Sequence, residues 1–140
     1  MILLDTSVLS ELMRPAPASV VVRWLAEQPV LALFTTAITE AEILYGIELL
    51  PKGKRRSALA AAVAAMFEED FAGRVLPFDS EAARAFPHIA AARRAAGKPV
   101  TQFDAQVAAI ARSRGAALAT RNTADFEDCG IVILNPWSAK

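Results

Sequence analysis

The sequence predicts an α/β domain of three layers, in which a mostly parallel, five-stranded sheet carries helices on both faces. Three observations predict it. Five short apolar or β-rich runs alternate with stretches of helical periodicity. Strands joined through helices run parallel by right-handed crossovers, and such a sheet is covered on both sides. The chain has 140 residues, 54% hydrophobic and 21% charged, which suits one domain, residues 1–140, with a sizeable core.

Ile2, Leu3 and Leu4 form the first strand, ended by Asp5-Thr6-Ser7, after which Val8, Leu9 and Leu12 recur at helical spacing up to Arg14-Pro15. Ser19 caps a second helix that runs to Gln28 with Val21, Trp24 and Leu25 on one face, and Pro29 ends it. Residues 30–37 (VLALFTTA) have the length and composition of a buried second strand. Thr39 then opens a helix carrying Ile43, Leu44, Ile47 and Leu50. A basic turn, residues 51–56, leads to an Ala-rich helix over 57–71 that Gly73 closes. Residues 74–78 read as the third strand, 80–96 as a long helix stopped by Gly97, and 101–114 as another ended by Gly115. The fourth strand is 116–119 and the fifth 131–134, with no internal repeat or linker.

Lys plus Arg and Asp plus Glu number 15 each, so no global positive field draws in nucleic acid, and any such contact must be local. Cys129, the single cysteine, forms no intrachain disulfide, and Asp5 interrupts the apolar start that a signal peptide needs. The longest mostly apolar uncharged run, residues 57–67, falls short of the ~18 residues that span a bilayer. The chain therefore reads as cytoplasmic, with no membrane segment.

In an open parallel sheet, ligands bind beyond the carboxyl ends of the strands. Asp5 directly follows the first strand, Glu42 lies in the first turn of the helix after the second, and Asp125 lies just past the fourth. Asp104, on the helix before the fourth strand, joins that edge if the preceding loop returns there. Thr39-x-x-Glu42, Thr101-x-x-Asp104 and Asn122-x-x-Asp125 share the capping-box spacing, and Asp5 could itself cap a helix, so each acid alone also has a purely structural reading. Together they differ: four converging carboxylates repel one another unless a cation compensates them. Hard oxygen ligands suit Mg²⁺ or Mn²⁺ rather than zinc, and one Cys and one His are too few for a soft site. Such a centre activates water and stabilises charge on a phosphate, the chemistry of metal-dependent nucleases.

The residues carry a resemblance. Leu4-Asp5-Thr6-Ser7-Val8, the stretch 37–47 (AITEAEILYGI), Asp104 within 103–111 (FDAQVAAIA) and 119–126 (ATRNTADF) resemble a PIN-domain ribonuclease of the VapC type, in its FitB-like branch. The likeness runs from Met1 to Asn135-Pro136-Trp137. It implies a PIN-like fold, an acidic quartet of Asp5, Glu42, Asp104 and Asp125, direct metal ligation by Asp5 and Asp104, and hydrogen-bonding support from Thr6 and Asn122. It also implies an RNA substrate, a toxin role within a type II toxin-antitoxin pair, a cognate antitoxin of DNA-binding type, and a homodimer. The alternative is a non-catalytic PIN-like regulatory module acting with a DNA-binding partner.

Other residues have blander readings beside functional ones. Glu40 stands ~200° around the helix from Glu42, so both cannot face one site, and Glu42 is preferred on the resemblance. Lys52, Lys54, Arg55 and Arg56 either touch RNA phosphates or form a solvated loop, and Arg93, Arg94 and Lys98 are read the same way. His88 reads as an ordinary histidine rather than a base, Asp79 as an N-cap, and Glu68-Glu69-Asp70 as a solvated helix end.

Overall fold

The computed structural model describes residues 1–138. Its strands are β1 (Ile2–Leu4), β2 (Leu33–Thr36), β3 (Val75–Leu76), β4 (Ala117–Ala119) and β5 (Ile133–Leu134). Its helices are α1 (Thr6–Leu12), α2 (Ser19–Ala26), α3 (Ala37–Glu48), α4 (Lys54–Ala65), α5 (Ser80–Ala95) and α6 (Gln102–Arg114). The strands form one sheet in the order β3-β2-β1-β4-β5, and every neighbouring pair is parallel. The chain winds outward from β1 through β2 to β3, then returns to the other side of β1. The gap between β1 and β4 is therefore the point where the winding reverses, the position at which parallel sheets bind ligands.

Consecutive side chains of a strand face opposite sides of the sheet, and β1 shows this directly. Leu3 packs with Ile89, Val107, Ile110 and Leu118 under α5 and α6. Leu4 packs with Val8, Leu9, Ile43, Ile47 and Phe67 under α1, α3 and α4. Two separate cores, one on each face, give the three layers that were expected. No helix among the described residues is long and apolar enough to cross a membrane.

Several boundaries differ from expectation. After Pro29 the residues Val30–Ala32 form a 3₁₀ turn, which shortens the second strand. The helix that follows starts at Ala37 rather than Thr39, because Thr36 supplies the cap: its Oγ1 accepts from the Thr39 amide at 3.0 Å. Glu42 thus lies in the second turn, outside any capping box. The basic turn is shorter than expected because α4 begins at Lys54, and that helix ends in a π-helical turn, Met66–Asp70, rather than running to Phe71. The third strand keeps only two residues. Thr123–Phe126 forms a 3₁₀ turn in which Asn122 accepts from Asp125 through its backbone carbonyl, so that pair is not a capping box either.

Helices α5 and α6 settle how Asp104 reaches the site edge. Asp79, at the start of α5, accepts from Arg114 at the end of α6 at 3.4 Å. Arg93, near the end of α5, reaches the turn after β4. The two helices are antiparallel, so α5 carries the chain back to the carboxyl edge. There Thr101 Oγ1 accepts from the Asp104 amide at 3.1 Å, and α6 starts. Gly115, with φ +62°, stops α6 in the left-handed conformation that glycine adopts without strain.

Candidate active site

Asp5 leaves β1 with 5% of its surface exposed. It occupies the N-cap position of α1, yet its side chain makes no capping hydrogen bond. Its Oδ2 instead accepts from Thr120 Oγ1 at 2.8 Å and from Ser7 Oγ at 3.4 Å. Thr120 is the first residue beyond β4, and the Asp5 amide donates to the Ala119 carbonyl at 3.0 Å, so the β1–β4 pairing places hydroxyl and carboxylate together. Ser7 Oγ also accepts from the Arg121 amide, and Thr120 Oγ1 from the Asn122 amide. The switch point is therefore a small hydrogen-bonded network built around one buried carboxylate.

Glu42 approaches from α3, with its Oε1 accepting from Thr6 Oγ1 at 3.1 Å. Burial raises its pKa above the ordinary glutamate value; Thr6 opposes this, while the charges of Asp5 and Asp104 add to it. The Asp104 carboxyl is raised by burial, then by Asp5 and Asp125, against smaller lowering effects of Thr101 and Arg93. The Asp5 carboxyl is raised by burial, against the Thr120 hydroxyl, the Thr6 amide and the Ser7 side chain and amide. Asp125 is exposed in the turn after β4. Glu42 thus feels the charges of Asp5 and Asp104, and Asp104 those of Asp5 and Asp125, which links the four acids electrostatically.

No lysine or arginine lies within ion-pair distance of any of the four among the described residues. The site is a concentration of negative charge without a salt-bridged protein cation, which fits a divalent cation. No three His, Cys, Asp or Glu side chains among those residues converge closely enough to cage a metal by themselves.

Thr6 donates to Glu42, whereas the described hydrogen bonds of Asn122 run through its backbone. Glu40 sits in the first turn of α3 without the contacts that Glu42 makes. His88 is exposed on α5, Asp79 caps that helix through the Ala82 amide at 3.0 Å, and Glu68, Glu69 and Asp70 are exposed. Lys52, Lys54 and Arg55 are exposed, and Arg56 pairs with Glu48 at 2.7 Å. The solvated reading fails for Arg93, which is 4% exposed. Ser7 and Thr120 are the participants that sequence reasoning missed; the one available signal was their position directly after the acid of β1 and directly after β4.

Removing the Thr120 hydroxyl tests the network. Thr120→Val leaves a buried carboxylate short of its best donor, at an expected cost of about 1–3 kcal/mol. Metal affinity should fall by about 10- to 100-fold, the usual effect of losing a group that orients a ligand, as a Mn²⁺ titration followed by calorimetry would report.

The PIN domain family profile matches residues 2–131. The chain is 39% identical over 137 residues to VapC ribonuclease Y4jK of Sinorhizobium fredii, covering 98% of each protein. It is 37% identical over 137 residues to toxin FitB of Neisseria gonorrhoeae, covering 98% of this chain and 99% of that protein. Among solved structures, FitAB bound to the IR36 DNA fragment superposes with a TM-score of 0.93 at 36% identity, covering 100% of this chain and 98% of that one.

Proposed function

The chain belongs to the PIN domain family, alongside VapC ribonucleases and toxin FitB, and from that premise we propose that Asp5, Glu42, Asp104 and Asp125 form the metal-dependent centre with which it cleaves RNA. It is an endoribonuclease and the toxin of a toxin-antitoxin pair. The observation that supports this centre is that carboxylates from distant stretches, none in a salt bridge, act on one another at the edge where the winding of a parallel sheet reverses. Asp5 and Asp104 would hold Mg²⁺ or Mn²⁺. Glu42 and Asp125 complete the site directly or through water, and one of the acids orients the attacking water. A divalent ion bound there supplies an acidified water and charge stabilisation for the phosphate. Thr120 and Ser7 fix the Asp5 carboxylate, and Thr6 fixes Glu42. Purified protein should cleave RNA with Mg²⁺ or Mn²⁺ and not in excess EDTA. Undiminished cleavage in EDTA would sink the metal mechanism, and a chain that binds its partner but never cuts would be a regulatory module.

An active ribonuclease needs an inhibitor, and the FitAB complex on DNA supports a DNA-binding antitoxin as that partner. A groove of about 270 Å³ opens beside Glu42 between α1 and α3, lined by Thr6, Ser10, Met13, Gly46 and Leu50 among others. Of the apolar residues on these helices, Val8, Leu9, Ile43 and Ile47 are spent on the core, whereas Leu44 is exposed. An antitoxin tail that sets an Arg or Lys among the acids while lying along this groove would displace metal and RNA together. Hydrogen exchange on the co-expressed complex should show protection over residues 5–12 and 39–50, with cleavage suppressed. A tight complex that leaves both unchanged rejects occlusion. A homodimer belongs to the same reading, and the exposed Tyr45, Leu49 and Phe103 offer apolar surface for it.

A further inference from the structure

Arg93 stands in the last turn of α5, 4% exposed, and no carboxylate lies within ion-pair distance of it among the described residues. Its Nη1 donates to the Ala124 carbonyl at 3.1 Å and to the Glu127 carbonyl at 3.0 Å, while its Nε is buried without a partner. Burying a guanidinium without a paired anion is costly, and an apolar side chain of similar volume would fill the space at lower cost. What the arginine supplies is therefore its donors. The donors grip the two carbonyls that bracket Asp125, in a turn where Asp128 adopts φ +62° and Cys129 Sγ also donates to the Glu127 carbonyl.

We propose that Arg93 is a positioning residue of the acidic centre. It fastens the turn that carries Asp125 by holding the Ala124 and Glu127 carbonyls on either side of it, so that this acid keeps its place at the site edge before a cation arrives. The proposal rests on the reading of the four acids as a metal centre. A lysine keeps the charge but ends one bond short of Nη1 and lacks the planar fork, so Arg93→Lys separates geometry from charge.

In the Arg93→Lys variant, the Mn²⁺ concentration for half-maximal RNA cleavage should rise by about 10- to 100-fold, with the KM for RNA nearly unchanged. A substitution that merely destabilises the fold would remove active protein without moving that midpoint. A second measurement needs no variant: in ¹⁵N-labelled wild-type protein titrated with Mg²⁺ alone, the Arg93 side-chain resonances should shift together with the Asp5 and Asp104 amides. If those amides respond while the Arg93 side chain does not, or if the Arg93→Lys variant keeps the wild-type Mn²⁺ midpoint, the proposal is overturned and the metal reading survives. If no resonance near Asp5 or Asp104 responds to Mg²⁺, the metal reading falls and takes this proposal with it.

Discussion

Asp5→Asn is expected to lower RNA cleavage by on the order of 10²- to 10³-fold while leaving the fold intact. Asparagine has the same shape, and its amide oxygen can still accept from Thr120 Oγ1, which lies 2.8 Å from the carboxylate. The change removes one negative charge from the site and with it one of the two ligands proposed above. Several kcal/mol of transition-state stabilisation depend on the ion in such centres, and each 1.36 kcal/mol is worth about tenfold in rate. Glu40→Gln is the matched control: it removes a carboxylate two residues from Glu42 in the same helix and should retain most activity. Equal losses in the two variants, or wild-type cleavage by Asp5→Asn at saturating Mn²⁺, would remove Asp5 from the centre.

The same substitution should make the metal-free protein more stable at neutral pH. The carboxyls of Asp5, Glu42 and Asp104 all titrate above their ordinary values in the fold, chiefly because burial disfavours the charged form. A folded-state pKa above the unfolded one means that the native protein binds the proton more tightly. The stabilising contribution is present below about pH 4, where both states are protonated, and is lost as pH rises through the raised values. At pH 7 the ionised cluster is a standing cost. Asp5→Asn removes one member and should raise the melting temperature of the metal-free protein. The gain should shrink as pH falls toward 4. Saturating Mn²⁺ should reverse the order, since an ion bound only by the folded wild type at 100 times its Kd adds about 2.7 kcal/mol. Calorimetric scans at pH 4 and pH 7, with and without Mn²⁺, check all four corners. A wild type that ignores Mn²⁺, together with a variant no more stable than its parent, would show that these acids do not share a site.

Asp5 left a local trace as a polar break after an apolar run, and Asp104 as an acid three residues after its cap Thr101, whereas the same offset before Glu42 and Asp125 marks no side-chain cap. The identity of the cap was less legible. Thr36 and Thr39 are both competent, and only the backbone turn at Thr36 decides that it opens α3. Residues 30–32 read as strand because Val, Leu and Ala suit one, but the segment following Pro29 closes a 3₁₀ turn first. The pair Arg93-Arg94 was opaque for a different reason. Neighbours on a helix point about 100° apart, and composition does not say which faces inward. Thr120 could not be paired with Asp5 at all until the sheet order brought β1 beside β4.

That last pairing also governs timing. The Thr120–Asp5 hydrogen bond spans 115 residues, and Asp104 and Asp125 likewise lie in the last third of the chain. During synthesis at about 5–20 residues per second, roughly 6–23 seconds separate the emergence of Asp5 from that of Thr120. In that interval β1 and β2 can pair and the core beneath α1 and α3 can begin to form, yet the nascent chain holds only Asp5 and Glu42 of the four acids. With the centre proposed above, a chain interrupted before Asp104 lacks half of the four acids, and the site can assemble only when nearly the whole product has been made.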